Sequence, residues 1–196
     1  MDVVIRTASP DDATAIAGVH ATSLRASSTE LLPAHLAPLV LAPPDAAPRA
    51  RAWRRWIERT RTSTFVSLVG GSVTGFCTLH PAPGAGGAES DRADGDGEAG
   101  RADAGGAGAP GARGEIASFY VLPSDWRRGT GRRLGERTLA EARARGFAEI
   151  VLWVLETNAR ARSFYEALGF RPDGESKVFL ERPYGSWREL RYRRAV

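Results

Sequence analysis

The run EIVLWVLE, Glu149 to Glu156, holds six consecutive apolar residues between two acids. A short β-rich run apolar on both alternating faces must lie inside a sheet that other elements cover on both sides. Helical spacing precedes it over Gly129 to Arg145 and follows it over Ala159 to Leu168. A further strand, EIASFYVL over Glu115 to Leu122, comes before all three and ends at Pro123. Strand, helix, strand, helix in that order points to an α/β domain.

The rest of the chain extends this pattern. Val3 to Ala8 reads as a first strand, and SPDD at Ser9 to Asp12 as a helix start, with a capping Ser9, Pro10 at the first position and acids that suit the dipole. Ile16, Val19 and His20 then share a face, with Leu24 one turn on. Prolines break the apolar stretch 31–44 into short helix and turn. Ala46 to Arg61 is a second helix, with Ala52, Trp53, Trp56 and Ile57 at helical spacing. Thr64 to Val69 and Ser72 to His80 are strands joined at Gly70-Gly71, a hairpin signal. Residues 81–113 contain no large apolar side chain, so they read as a disordered insert within one domain spanning 1–196. After Gly169-Phe170 the sequence predicts a loop and a last strand near Glu189 to Arg194. The expected fold is a mixed central sheet flanked by helices.

Net charge is +4 and the pI is 9.8, so nucleic acid enters as a partner class. Lys177 is the only lysine, however, and the arginines alternate with acids as in LGERTLAEARARG. That pattern is a solvated helix face, which favours no nucleic-acid role. No stretch approaches the ~20 apolar residues of a membrane span, and MDVVIRTASPDD carries no secretory pattern. Cys77 is the only cysteine, which excludes an intramolecular disulfide and a cysteine zinc site. His20, His35 and His80 have no ligand spacing, so no metal is expected. These features together predict a cytoplasmic protein.

The stretch DWRRGTGRRLG, Asp125 to Gly135, stands where a strand hands over to a helix. Orphan N–H groups at a helix start carry partial positive charge, and glycine lets an anion approach them. Gly129 and Gly131 with Arg127, Arg128, Arg132 and Arg133 therefore suggest a phosphate site, against the alternative of an ordinary turn with solvated arginines. A P-loop would need Lys-Ser/Thr after its second glycine, which GTGRRLG lacks. A dinucleotide fingerprint is off by one residue, and only one more strand-helix pair follows.

VLPSDWRRGTGRRL, 121–134, followed by ETNARARSFYEALGF, 156–170, resembles the GNAT family of acetyl-CoA-dependent N-acetyltransferases. The family's R/Q-x-x-G-x-G/A matches at Gly129 and Gly131, but Trp126 stands where the Arg or Gln belongs. The second block matches at Asn158, Ala161, Tyr165, Gly169 and Phe170. The resemblance implies acetyl-CoA as cosubstrate. Its pantetheine arm would lie along the backbone of Phe119, Tyr120 and Val121, in the manner of an added strand. Its pyrophosphate would rest on Arg127, Arg128, Gly129, Thr130, Gly131 and Arg132, and Asn158 would touch the arm. It also implies Tyr165 as the group that serves the departing sulfur, although Ala161, Phe164, Tyr165 and Leu168 equally form a core stripe. Glu115 is the candidate base, four residues before Phe119; plain strand alternation would put both on one face, and a solvated strand-start charge is the alternative. The expected activity is acetyl transfer to a primary amine of a small molecule or peptide in a ternary complex. The alternative is a non-catalytic acyl-CoA-binding module of the same fold. Neither nucleic acid nor membrane is expected as a partner, and a homodimer is compatible with both readings. The acceptor would be chosen between Leu24 and Trp56, where Trp53 and Trp56 first say helix core. Trp126 and Trp153 are open to both readings.

Overall fold

A computed structural model describes residues 2–31, 46–82, 112–180 and 187–196. The sequence-based expectations for 31–44 and 81–113, and His35, therefore fall largely or wholly outside the described residues. The elements run β1 (Val3–Thr7), α1 (Ala13–Leu31), α2 (Ala46–Ile57), β2 (Ser63–Val69), β3 (Ser72–Pro81), β4 (Arg113–Val121), α3 (Thr130–Ala144), β5 (Glu149–Leu155), α4 (Ala159–Ala167), β6 (Arg171–Leu180) and β7 (Trp187–Ala195). They form a seven-stranded sheet ordered β1-β2-β3-β4-β5-β7-β6. Only β4 and β5 are parallel, so the sheet is mixed, as expected.

Alternation along β2 and β3 sorts two cores onto opposite faces. Phe65, Cys77 and Leu79 pack with Leu134 and Leu139 of α3 and with Tyr165 of α4. Val66 and Phe76 pack with Ile16 and Val19 of α1 and with Trp53 and Trp56 of α2. Ile150, Leu152 and Val154 join the first core, and Val151 on the other face is also buried. The β2–β3 turn has Gly70 at φ 58 and Gly71 at φ 82, two left-handed positions that a side chain would strain.

Two expectations need correction. The second helix stops at Ile57, short of Arg61. There the hydrogen bonding tightens from Glu58 N–H to Arg54 C=O into Arg59 N–H to Trp56 C=O, which closes the last turn. The stretch read as a loop after Phe170 instead begins with a strand, β6. This is an edge strand pairing only β7, with Pro172 inside it and a register break between Pro172 and Ser176 around Gly174 at φ 90. Proline and glycine are tolerated at such an edge.

The start of α1 is fixed by charge. The Asp12 carboxylate accepts from Arg6 Nη1 at 2.6 Å and Nη2 at 2.8 Å, and from the Ser9 N–H at 2.7 Å. Hydrogen bonding from Arg6 holds the Asp12 carboxyl below its ordinary range, against the opposing effect of burial. Asp12→Ala is expected to cost about 2 kcal/mol of stability, the scale of a charge-assisted bond plus a lost cap. A depressed carboxyl stabilises above its unfolded pKa, near 3.8, and loses that contribution as pH falls through its lower folded value. Thermal unfolding should therefore show a gap at pH 7 that narrows at pH 3; an undiminished gap at pH 3 would refute the charge argument.

Candidate functional site

The pairing of β4 with β5 runs only from Arg113–Glu149 to Ile116–Leu152. Beyond that point β4 continues to Val121 and β5 to Leu155 without facing each other. A register shift in β3–β4 helps them part: Thr78 pairs with Ser118 and Leu79 with Ile116, so Ala117 is an extra residue in β4. A bulge of this kind bends its strand and increases the twist. A cleft of about 1010 Å³ opens in the fork.

Nine of the expected site residues line it: Phe119, Tyr120, Val121, Arg127, Gly129, Gly131, Arg132, Asn158 and Tyr165. Thr130 is fully buried behind the turn, so only its backbone remains suited to the role predicted for it. Arg128 is exposed and Glu115 half-buried, and neither is among the lining residues.

The backbone along the fork is polar in a directed way. The Leu122 N–H donates to Thr74 C=O in β3. Strand alternation then turns the N–H and C=O of Phe119 and Val121 to the other edge, where β5 has moved away. The Val121 carbonyl is occupied there: Trp126 Nε1 donates to it at 2.8 Å and Ser23 Oγ at 3.2 Å. That leaves Phe119 as the better place for an extended ligand to pair.

At the turn, Arg127 has φ 58 and Gly129 φ 83. Two left-handed residues within three positions bring β4 sharply round to the start of α3. Arginine at such a φ is strained by about 1–2 kcal/mol, a feature common at functional sites. At Gly131 an added Cβ would lie 3.2 Å from Phe164 Cε2, so this glycine serves packing as well as access. Asn158 caps α4 by accepting from the Ala161 N–H at 3.0 Å. With one lone pair of Oδ1 so used, the Nδ2 hydrogens and the second lone pair remain for a ligand.

Tyr165 answers both readings of its position. Its ring packs against Phe164, Phe119 and Phe170, with centroids 5.3, 6.1 and 6.1 Å away, and the residue lines the cleft. Burial, with smaller effects from Cys77 and Tyr120, pushes its phenol well above the ordinary value of 10. The hydroxyl is therefore a standing donor and a reluctant acid. Cys77 is fully buried within the core, and burial pushes its thiol up to about 12. No thiolate nucleophile is at hand there.

The expectation that Glu115 and Phe119 share a face is overturned by the bulge. Ile116 and Phe119 both belong to the core under α3 and α4. Glu115 pairs with His80, whose ring contacts Trp56 on the opposite face. Burial raises the Glu115 carboxyl above its ordinary range; His80, Lys177 and Arg191 oppose the shift and Glu189 adds to it.

On this side the cleft is walled by residues that the sequence did not single out. Glu189 and Phe179 come from β7 and the missed β6, and they join Trp153. Lys177 sits 4.1 Å from the Trp153 ring centroid and 3.6 Å from Glu189. Leu24 lines the cleft, with Ser23 and Ser27 beside it on α1. Trp53 and Trp56 are core, and His20 is buried against Trp53 and Tyr120. Trp126 and Trp153 both line the cleft. Among the described residues no cluster of His, Cys, Asp and Glu could hold a metal, and no helix is long and apolar enough to cross a membrane.

Solved structures share this architecture. An N-acetyltransferase from Staphylococcus aureus superposes with a TM-score of 0.69 at 19% identity, covering 100% of this chain and 99% of that one. The PaiA N-acetyltransferase from Thermoplasma acidophilum, solved in complex with coenzyme A, gives 0.64 at 14% identity over the whole of both chains. A Salmonella typhimurium structure with its cofactor acetyl-CoA gives 0.68 at 19% identity, covering 100% and 94%. At such identities the likeness is one of fold. In sequence, the mycothiol acetyltransferase of Beutenbergia cavernae is 48% identical over 61 residues, 31% of this chain. The match spans only 20% of that relative's length. The description Acetyltransferase (GNAT) family fits residues 29–170, a span that contains the fork, the glycine turn and α4. On that match, over most of its length, the chain belongs to the acetyltransferase (GNAT) family.

Proposed function

We propose that this protein moves an acetyl group from acetyl-CoA to a primary amine by direct attack within a ternary complex. The observation that carries the reading is the fork between β4 and β5, with a glycine turn at the start of α3 and Tyr165 among the residues lining the same cleft. Acetyl-CoA supplies the acetyl group on a thioester sulfur. Phe119 offers its backbone to the extended arm, and the amides of the turn, with Arg127 and Arg132, offer charge to the pyrophosphate. The acceptor amine enters from the wall formed by Trp153, Phe179 and Glu189. As the new C–N bond forms and the C–S bond breaks, Tyr165 donates a hydrogen bond to the sulfur. Direct attack is favoured over a covalent acyl-enzyme because the one cysteine is a core thiol held protonated.

The amine must lose a proton, and Glu115 is the proposed destination through a relay from the wall. Its raised carboxyl is a better match for an amine than an ordinary glutamate near 4.5. The acceptor is a small-molecule or peptide amine, and neither nucleic acid nor membrane has a part in this reading.

Thiol release from acetyl-CoA, followed with a panel of amines, amino acids, aminoglycosides and peptide N-termini, tests the activity. Coenzyme binding without release across the panel would favour the non-catalytic module. Glu115→Gln separates activity from stability. It should lower the rate most at low pH, with partial rescue as pH rises and free amine becomes abundant. A carboxyl raised on folding contributes stability below its unfolded pKa, near 4.5, and loses it as pH rises through the folded value. The neutral variant should therefore melt higher than the parent at pH 7 and level with it at pH 4. A pH–rate profile identical to the parent's would remove Glu115 from the proton path.

A further inference from the structure

The residue that departs from the family's signature is Trp126, and it is not an empty substitution. Its ring carries a guanidinium: Arg160 Cζ lies 3.8 Å from the indole centroid. Arg160 sits in the first turn of α4, and both residues line the same cleft as Gly129 and Gly131. Trp126 is itself pinned by its Nε1 bond to Val121. The stack thus ties a cation on α4 to the residue that stands at the signature position. On its far side Arg160 is paired with Glu30 in the last turn of α1, Nη2 to Oε2 at 2.8 Å and Nη1 to Oε1 at 3.3 Å.

Resting on the acetyl-CoA reading, we infer that Arg160, carried on Trp126, adds a further pyrophosphate-binding cation to Arg127 and Arg132, and that Glu30 is the anion it exchanges for the coenzyme. A planar guanidinium suits both partners, because it forks equally onto a carboxylate or a phosphate. The exchange is easy: the two side chains keep 41% and 52% of their exposure, and ion pairs so exposed are weak and readily given up. Stacking on indole holds the guanidinium plane while its partner changes. Coenzyme and Glu30 therefore compete for one cation.

Competition has a signature that a structural role lacks, because the two partners of one ion pair must act in opposite directions. Calorimetric titration with coenzyme A should show Arg160→Gln binding about tenfold more weakly, the loss of one charge-assisted phosphate contact. Glu30→Gln should bind about two- to threefold more tightly, since an exposed competitor is removed. In the double variant the Glu30→Gln gain should vanish, leaving the Arg160→Gln affinity. Dephospho-coenzyme A, which keeps the pyrophosphate, should lose as much as coenzyme A on Arg160→Gln, and pantetheine should lose nothing. Any of three results would overturn the inference: unchanged affinity for Arg160→Gln, a Glu30→Gln gain that survives without Arg160, or a loss seen with coenzyme A but not with its dephospho form. If the unaltered chain binds no coenzyme A, the acetyl-transfer reading fails and this inference with it; binding by the unaltered chain with any of the three results removes this inference alone.

Discussion

Tyr165→Phe should lower kcat about 100-fold while leaving the affinity for coenzyme A and the melting temperature nearly unchanged, the scale expected for one positioned acid–base partner. The variant keeps the ring and hence the contacts with Phe119, Phe164 and Phe170. Only the hydroxyl is lost, so a rate defect cannot be charged to the core. Burial adds a second, sharper expectation. The phenol sits well above 10, so it stays protonated throughout the working range of pH. The ratio of parent to variant rate should therefore be flat from about pH 6 to pH 9. A ratio that fell toward 1 at high pH would mean that Tyr165 ionises there and acts as an acid of ordinary strength. Full activity of the variant would return Tyr165 to the core stripe it also belongs to.

The second large effect is at the turn. Gly131→Glu should weaken coenzyme A binding by at least about 100-fold, because a carboxylate set against a pyrophosphate costs several kcal/mol. The geometry complicates that substitution: any Cβ at Gly131 meets the Phe164 ring at 3.2 and 3.4 Å. Bulk and charge must be told apart, and Gly131→Gln does so, since it brings the same bulk without the charge. The expected order of affinity is parent, then Gly131→Ala, then Gly131→Gln, with Gly131→Glu at least about tenfold below Gly131→Gln. Equal affinities for the Gln and Glu variants would place the phosphates elsewhere, however poorly both bound.

The two motif blocks were legible because they are local. GTG at a strand-to-helix junction and N-x-x-A-x-x-x-Y over about two helical turns each sit within one short segment of chain, and the fork brings them to one cleft. The Gly70-Gly71 hairpin and the buried run of β5 were readable on the same grounds. What escaped was whatever depends on another part of the chain. β6 carries Pro172, Gly174 and charged residues because an edge strand has one partner and one solvent side, so its pattern resembles a loop. Phe179 and Glu189 reach the cleft only through that strand and its neighbour. Arg160 and Glu30 meet across 130 residues. Glu115 was placed on the wrong face because alternation counts every residue equally, and the extra residue at Ala117 is set by pairing with β3 rather than by local composition.

One contact at the edge of the described chain bears on how this fold tolerates change. The Ala82 N–H donates to Arg113 C=O at 2.8 Å, and Pro81 stands opposite Gly114 in the β3–β4 ladder. The two ends of 83–111 are thus held one rung apart by the strands themselves. Closing a loop between fixed ends carries an entropy that grows only with the logarithm of its length, about 0.6 kcal/mol for each doubling. The register that sets the bulge and the fork is owed to the ladder, and the connection merely has to span a gap that a few residues would cross. The ladder, and not the length of the connection, therefore holds the residues that line the cleft.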